Sequence, residues 1–206
     1  IYALNFENED INALEKANLE NTSISCLKLN IEHVKKILNL NKYETFLGRT
    51  RGDLHDFWLS GLDFREIEIE KLENANFVNT SLINIKISNG VNEIGERAFY
   101  DCTSLKNIVV PEGVTIINQR VFKGCAIESI ELSDNVTEIG LLAFMDCTSL
   151  KAITLSSSVK SIGTTAFQGC DNIETVNFKG TEAEWLALVA NTNNEALKNA
   201  KVNYIA

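Results

Sequence analysis

One phrase occurs four times between Val91 and Gly180: Val-x-x-Ile-Gly-x-x-Ala-Phe-x-x-Cys-x-x-Leu-x-x-Ile-x-Leu. Its isoleucines are Ile94, Ile117, Ile139 and Ile162, its phenylalanines Phe99, Phe122, Phe144 and Phe167, and its cysteines Cys102, Cys125, Cys147 and Cys170. Successive copies are 22 or 23 residues apart. A unit this short cannot bury its own apolar face, so a fixed period of this length means a stack of similar units, each covered by the next. Within a copy the pattern changes character. Leu105, Ile108 and Val110 alternate inward as in a half-buried strand, whereas the segment from Ile94 to Cys102 follows no strand period. Gly95, Gly140 and Gly163 mark turns that need a positive φ or a close backbone approach, and Asn118 takes that place in the second copy because Asn tolerates the left-handed region best after Gly. The second copy is also one residue short, reading Cys125-Ala126-Ile127 where its neighbours read Cys-Thr-Ser-Leu, so one turn there is tighter.

Upstream the phrase degrades. Leu82, Ile85 and Ile87 repeat the strand pattern one period before Leu105, Ile108 and Val110, with Asn79 where later copies carry Cys; Phe64, Ile67 and Ile69 fit it more loosely. Residues 61–90 therefore read as degenerate repeats and 91–180 as four regular ones, roughly six turns in all. Residues 1–60 lack the phrase and read as an N-terminal cap or small helical segment, with helices over Glu9–Leu19 and Ile31–Leu40. After Phe178, Thr181 and Glu184 form a capping box that opens a helix carrying Trp185, Leu188 and Val189; Asn193 or Asn194 caps a second, and Val202, Tyr204 and Ile205 close as a strand. Residues 181–206 read as the C-terminal cap.

The copies IGERAFYDCTSLKNIVVPEGV, IGLLAFMDCTSLKAITLSSSV and IGTTAFQGCDNIETVNF resemble the BspA-like class of leucine-rich repeat, and the Gly-Thr-x-x-Glu-Trp ending is similar to those that close such arrays. The resemblance covers half to two thirds of the chain. It implies an α/β repeat, a right-handed leucine-rich-repeat solenoid of short strands with helical N-terminal and C-terminal caps. It also implies an extracellular or cell-surface protein of host-associated microbes, with adhesion and protein binding as proposed roles. One departure is the single proline, Pro111, where family repeats often carry Leu-Pro.

Charge narrows the partners. A net charge of −9 disfavours nucleic acid, whose affinity comes mainly from Lys and Arg, and disfavours anionic membranes likewise. No apolar run is long enough to cross a bilayer. The expected partner is a protein, such as a host extracellular-matrix or cell-surface protein, bound by a monomer without direct membrane insertion.

Chemistry has few places to reside, and no catalytic, metal or cofactor site is expected. The two histidines, His33 and His55, stand with nothing that fixes them beside Ser60 or Cys26. Cysteines stacked in equivalent positions keep their Cβ atoms about 4.8 Å apart, too far for the roughly 3.8 Å of a disulfide, and a linear row cannot surround a zinc ion. They read as buried small thiols. Arg51-Gly52-Asp53 is the tripeptide that integrin-type receptors read, although a given tripeptide arises by chance about a few times in a hundred in a chain of this length. Asn21, Asn79 and Asn135 open glycosylation sequons that matter only in a secreted eukaryotic protein.

The residues flanking the middle apolar position of each strand phrase face outward and form the candidate partner surface. They are Glu66 and Glu68, Asn84 and Lys86, Asn107 and Val109, Ser129 and Glu131, Ala152 and Thr154, Thr175 and Asn177. This surface is polar, with few charges and no aromatic anchor, so weak or avidity-dependent binding is expected of it. Two other readings stand beside it: a structural spacer that displays another domain, and a glycan-binding or enzymatic function in residues 1–60.

Overall fold

The computed structural model describes residues 71–72, 77 and 82–205 in full, and of the earlier chain only the backbone of seven short strands. Those are β1 (Leu4–Asn5), β2 (Ser23–Ile24), β3 (Leu27–Lys28), β4 (Thr45–Phe46), β5 (Arg49–Thr50), β6 (Trp58–Leu59) and β7 (Gly61–Asp63). There follow β8 (Lys71–Leu72), β9 (Asn84–Lys86), β10 (Glu93–Ile94), β11 (Asn107–Ile108), β12 (Ile116–Ile117), β13 (Ser129–Glu131) and β14 (Glu138–Ile139). The last are β15 (Ala152–Ser156), β16 (Ser161–Ile162), β17 (Thr175–Lys179), helices α1 (Glu182–Val189) and α2 (Glu195–Asn199), and β18 (Lys201–Tyr204).

Apart from β4 and β5, which pair antiparallel, the strands pair in parallel at equivalent positions of successive turns, which makes the chain a β-solenoid. One sheet runs β1-β3-β7-β9-β11 and a second runs β13-β15-β17-β18, while β12-β14-β16 form a separate short ladder where each turn approaches its glycine. Register follows the repeat: Ile130 lies opposite Ile153 and Ile153 opposite Val176. Thus β1 and β3, in the segment read as a cap, join the same ladder, with Leu4 opposite Leu27 and Leu27 opposite Leu62. The segments Glu9–Leu19 and Ile31–Leu40, read as helices, lie outside the described residues. So do His33, His55, Cys26, Ser60, Asn21, Asn79 and the Arg51-Gly52-Asp53 tripeptide.

The core is a set of stacked columns. Val91, Ile94, Ala98, Phe99, Cys102, Leu105, Ile108 and Val110 are all buried, and so are their equivalents in the next three turns. The phenylalanine column begins earlier than the regular phrase: Phe77 stacks on Phe99, followed by Phe122, Phe144 and Phe167, with ring centroids 5.0–5.7 Å apart. Phe77 lies 22 residues before Phe99, within the repeat step, and was missed because the copy around it has Glu73 and Asn76 where the phrase has Gly and Ala, and Asn79 where it has Cys. Near-parallel rings at this spacing are offset stacks, favourable beyond the area they bury.

Around each phenylalanine the backbone alternates hands. Arg97, Arg120, Leu142 and Thr165 have φ of 57–61°, and Asp101, Gly124, Asp146 and Gly169 have φ of 54–76°. Left-handed residues cost roughly 1–2 kcal/mol each when they carry a Cβ, so something must offset them. In the turn from Arg97 to Asp101 the amides at both ends and at Phe99 point at the following turn: Arg97 N–H donates to Gln119 O at 3.2 Å, Phe99 N–H to Val121 O at 3.0 Å and Asp101 N–H to Lys123 O at 2.7 Å. These bonds satisfy buried backbone that would otherwise be orphaned. The glycines Gly95, Gly140 and Gly163 are not among the positive-φ residues, and at Gly140 and Gly163 the reason is close approach. A Cβ on Gly163 would lie 2.6 Å from the Gly140 carbonyl carbon. Asn118 is correspondingly there for its side chain and not for φ: its Nδ2 donates to Ile94 O at 2.8 Å, the bond that Gly95 and Gly140 make with their backbone N–H to Leu72 O and Ile117 O.

The four described cysteines are free and buried, but they are more than apolar filler. Each donates its thiol to the phenylalanine carbonyl of the preceding turn at 2.9–3.0 Å: Cys102 to Phe77, Cys125 to Phe99, Cys147 to Phe122 and Cys170 to Phe144.

At the C-terminal end the capping box forms as the sequence implies. Thr181 Oγ1 accepts from Glu184 N–H, and Glu184 Oε2 accepts from Thr181 N–H at 2.8 Å. Helix α1 then buries Trp185 and Val189 against the last turn, with Trp185 5.4 Å from Phe178 between ring centroids. Asn194 stands at the N-cap of α2 without bonding it. Its amide is committed elsewhere: Oδ1 accepts from Phe167 N–H at 2.9 Å and Nδ2 donates to Gly163 O at 3.1 Å.

Candidate binding face

The outward residues of the strands form columns in register. Asn107 lies opposite Asn84, Ala152 opposite Ser129, and Thr175 opposite Ala152; in the next column Thr154 lies opposite Glu131 and Asn177 opposite Thr154. The middle residues Ile85, Ile108, Ile130, Ile153 and Val176 are buried, so the neighbours named from sequence do face outward, exposed on β9, β11 and β13 and half-buried on β15 and β17. Glu66 and Glu68 lie outside the described residues. The positions that pair with Asn84 and Lys86 are Gly61 and Asp63 of β7. Leu62-Asp63-Phe64 has the same apolar alternation as Ile67-Glu68-Ile69, and backbone pairing decides between them.

Much of this face is bonded to itself. Asn107 Nδ2 donates to Asn84 Oδ1 at 3.2 Å, Asn177 Nδ2 to Thr154 Oγ1 at 3.4 Å, and Asn203 Nδ2 to Asn177 Oδ1 at 3.1 Å. Asn203 and Lys201, opposite Asn177 and Thr175, extend both columns by a strand. Their signal was present as outward positions beside Val202, although the turn and helices over residues 180–200 hide the period.

Continuity breaks once. The sheets end at β11 and begin again at β13, where the repeat is one residue short, and the ladder is reduced to Glu128 N–H on Lys106 O at 3.4 Å. A cleft of about 340 Å³ opens there, lined by Val109, Glu112, Ser129, Glu131, Asp134 and Lys179 among others. Val109 is 78 % exposed on its rim. Lys179 reaches across from β17 to Glu131 Oε1 at 3.1 Å and Asp134 Oδ1 at 3.2 Å. Those two hydrogen bonds, Glu131 first, raise the Lys179 ammonium above its usual range. Lys179 was missed because five-residue strands carry the outward alternation one position further than the phrase indicates.

For catalysis or metal binding the arrangement offers little. The described residues contain no cluster of three His, Cys, Asp or Glu able to hold a metal ion. Burial pushes the Cys125 thiol well up, and the Cys170 thiol followed by burial does so for Cys147; both are therefore poor nucleophiles. No helix among the described residues is long and apolar enough to cross a membrane.

Stacked parallel strands with a repeated buried phrase define a leucine-rich-repeat scaffold. The chain belongs to the family described as the BspA type leucine rich repeat region, which matches residues 70–187 in six copies. It is similar to a leucine rich cell surface protein of Faecalibacterium prausnitzii A2-165, at 28% identity over 63% of this chain and 34% of that one, with a TM-score of 0.59. It is also similar to the T. pallidum leucine rich repeat protein TpLRR, at 27% identity over 57% of this chain and 58% of that one, with a TM-score of 0.54. The pneumococcal vaccine antigen PcpA shares the fold, at 17% identity over 71% of this chain and 42% of that one and a TM-score of 0.53. The chain thus spans about a third of the first protein and under two thirds of the second. No curated protein matches it.

Proposed function

We propose that the chain is a non-enzymatic protein-binding and adhesion module of a surface or secreted protein, acting through the outward face of its strands. The observation that carries this reading is the cleft at the β11–β13 break. It sets an exposed apolar residue, Val109, beside a charged pair anchored by Lys179, within a face otherwise made of small amides and hydroxyls. Interfaces are organised in this way, with an apolar patch and a polar rim. The name of the similar Faecalibacterium protein supports a place at the cell surface or outside the cell. In this reading the solenoid winds to the right, as about 98% of parallel crossovers do. Residues 61–90 and 91–180 form its degenerate and regular repeats, and 1–60 and 181–206 cap its ends.

The self-bonded part of the face favours a second reading, a spacer that displays another domain and binds nothing. Labelled protein applied to an array of extracellular-matrix proteins, glycans and bacterial surface polymers separates the two. A specific hit that is lost in a Val109→Asp, Glu131→Lys variant of unchanged circular dichroism and melting temperature supports binding through the face. Silence across the array with an intact fold leaves the spacer.

A further inference from the structure

Four successive turns of the solenoid are closed by the same bond. Val91 N–H donates to Ser88 O at 3.1 Å, Val114 N–H to Pro111 O at 3.0 Å, Val136 N–H to Ser133 O at 3.1 Å and Val159 N–H to Ser156 O at 3.1 Å. The first central position of these turns holds Asn89, Glu112, Asp134 and Ser157, and the second holds Gly90, Gly113, Asn135 and Ser158. Asn89-Gly90 is the one Asn-Gly pair in the chain. Both of its residues are exposed, and the Asn89 side chain makes no hydrogen bond among the described residues.

From this turn we propose that Asn89 is a self-modification site, converted by water to aspartate and isoaspartate without an enzyme. The site is separate from the binding face proposed above and does not depend on that reading.

The reaction runs in two steps. The Gly90 nitrogen gives up its proton and attacks Cγ of Asn89; the new C–N bond closes a cyclic imide, and the side-chain nitrogen takes up a proton and leaves as ammonia. Water then adds to one of the two imide carbonyls. Cleavage between Cγ and the Gly90 nitrogen leaves aspartate, whereas cleavage between the main-chain carbonyl carbon and that nitrogen leaves isoaspartate. Nothing is oxidised or reduced, and an amide is exchanged for a carboxylate. Ring closure favours a glycine next in sequence, because it has no Cβ to obstruct the attacking nitrogen and its backbone adapts to the ring. Exposure supplies the water, and a side chain free of partners can rotate towards the nitrogen.

The neighbouring turns give the contrast. Asn135 is followed by the branched and buried Val136, and its Nδ2 is held by Glu112 O at 2.9 Å. At Asn89 the restraint is the Ser88 hydroxyl, whose Oγ accepts from Gly90 N–H at 3.3 Å. That bond is long for its kind, and it must open before the nitrogen can lose its proton. The Val91 N–H bond must open with it, a local event available to an exposed turn. The aspartate product fits, since Glu112 and Asp134 already carry carboxylates at the equivalent position; it extends by one turn the acids that line the cleft. Isoaspartate instead lengthens the main chain by a methylene just before Val91, which is fully buried at the head of the first regular repeat.

The test is to incubate the protein at physiological temperature and mildly alkaline pH, digest it in acid, where the reaction is slow, and map the peptides by mass spectrometry. Labelling with an isoaspartyl methyltransferase counts the isoaspartate. Conversion at Asn89 is expected to be at least tenfold faster than at Asn135 and to quicken as pH rises. Gly90→Ala should slow it at least tenfold; Gly90 is not among the positive-φ residues, so alanine fits the turn. Ser88→Ala should speed it at least twofold. A rate at Asn89 no greater than at Asn135, or one that Gly90→Ala leaves unchanged, overturns the inference. An unchanged rate in Ser88→Ala overturns the restraint assigned to the Ser88 hydroxyl.

Discussion

Asn194 stands in for a missing turn. Its Oδ1 accepts from Phe167 N–H at 2.9 Å, the same donor position that in the preceding turns reaches a backbone carbonyl: Phe99 to Val121, Phe122 to Ala143 and Phe144 to Ala166. A repeating ladder must end with one row of unsatisfied amides, and here a side-chain amide closes the buried one. Its Nδ2 meanwhile holds Gly163 O at 3.1 Å.

Replacing this residue tests its role. Asn194→Ala leaves Phe167 N–H unpaired in a site with no exposure of the original side chain, at a cost of roughly 1–3 kcal/mol, while Gly163 C=O keeps Ala166 N–H at 3.1 Å. Urea denaturation should show the loss, and hydrogen exchange should show it first at the Phe167 amide. Asn194→Asp keeps the acceptor but sets a carboxylate against a carbonyl, so it is expected to be no better. An unchanged midpoint in the alanine variant would mean that water replaces the amide without loss.

The two left-handed positions should respond with opposite signs. Gly169 has φ of 76° and a Cβ there would lie 2.6 Å from Asp146 Oδ1. Gly169→Ala is therefore expected to destabilise by about 1–2 kcal/mol from conformation alone, more if Asp146 must move. Thr165 has φ of 61° with a branched side chain, and Thr165→Gly should be neutral or stabilising by thermal melting. Equal losses in both variants would contradict this account of the turn.

Thiol chemistry supplies a third check. Cys102, Cys125, Cys147 and Cys170 are buried with their protons committed to carbonyls. In native protein at neutral pH a thiol reagent should leave these four unlabelled, and all four should react once urea unfolds the chain. Labelling of any of them faster than global unfolding, located by peptide mapping, would show that the core opens locally.

The capping box makes stability depend on acid. Glu184 is held below its usual range of about 4.5 by the bond from Thr181 N–H and then by the Thr181 hydroxyl. A carboxylate whose folded value is depressed contributes fully above its unfolded value, and the contribution disappears as pH falls through the folded one. The C-terminal helix should therefore loosen below about pH 4.5. Glu184→Gln should flatten that part of the profile of melting temperature against pH, and a profile identical to the parent's would remove the box from the acid response.

Much of the architecture was legible in one dimension because it is periodic. A 22 or 23 residue step places Phe99, Phe122, Phe144 and Phe167 in one column whatever the details of the turn, and the same arithmetic put the cysteines inside and Asn84, Asn107, Thr154 and Asn177 outside. The capping box was equally readable, since Thr181 and Glu184 act within a single turn of helix.

What only the tertiary structure decided lies where the period is broken and where partners are distant in sequence. Asn194 and Asn118 look like ordinary turn residues, yet each replaces a backbone group of the solenoid, and such mimicry follows no spacing rule. Lys179 meets Glu131 and Asp134 across two turns, and the cleft beside them exists because a shortened repeat parts two sheets. The pairing of Leu4 with Leu27 and Leu27 with Leu62 likewise needed the backbone, because a two-residue strand bears too little pattern to be seen. Hydrophobic periodicity records which residues share an environment; the ends and faults of the array are fixed by single hydrogen bonds between turns, and those appear only when the turns are stacked.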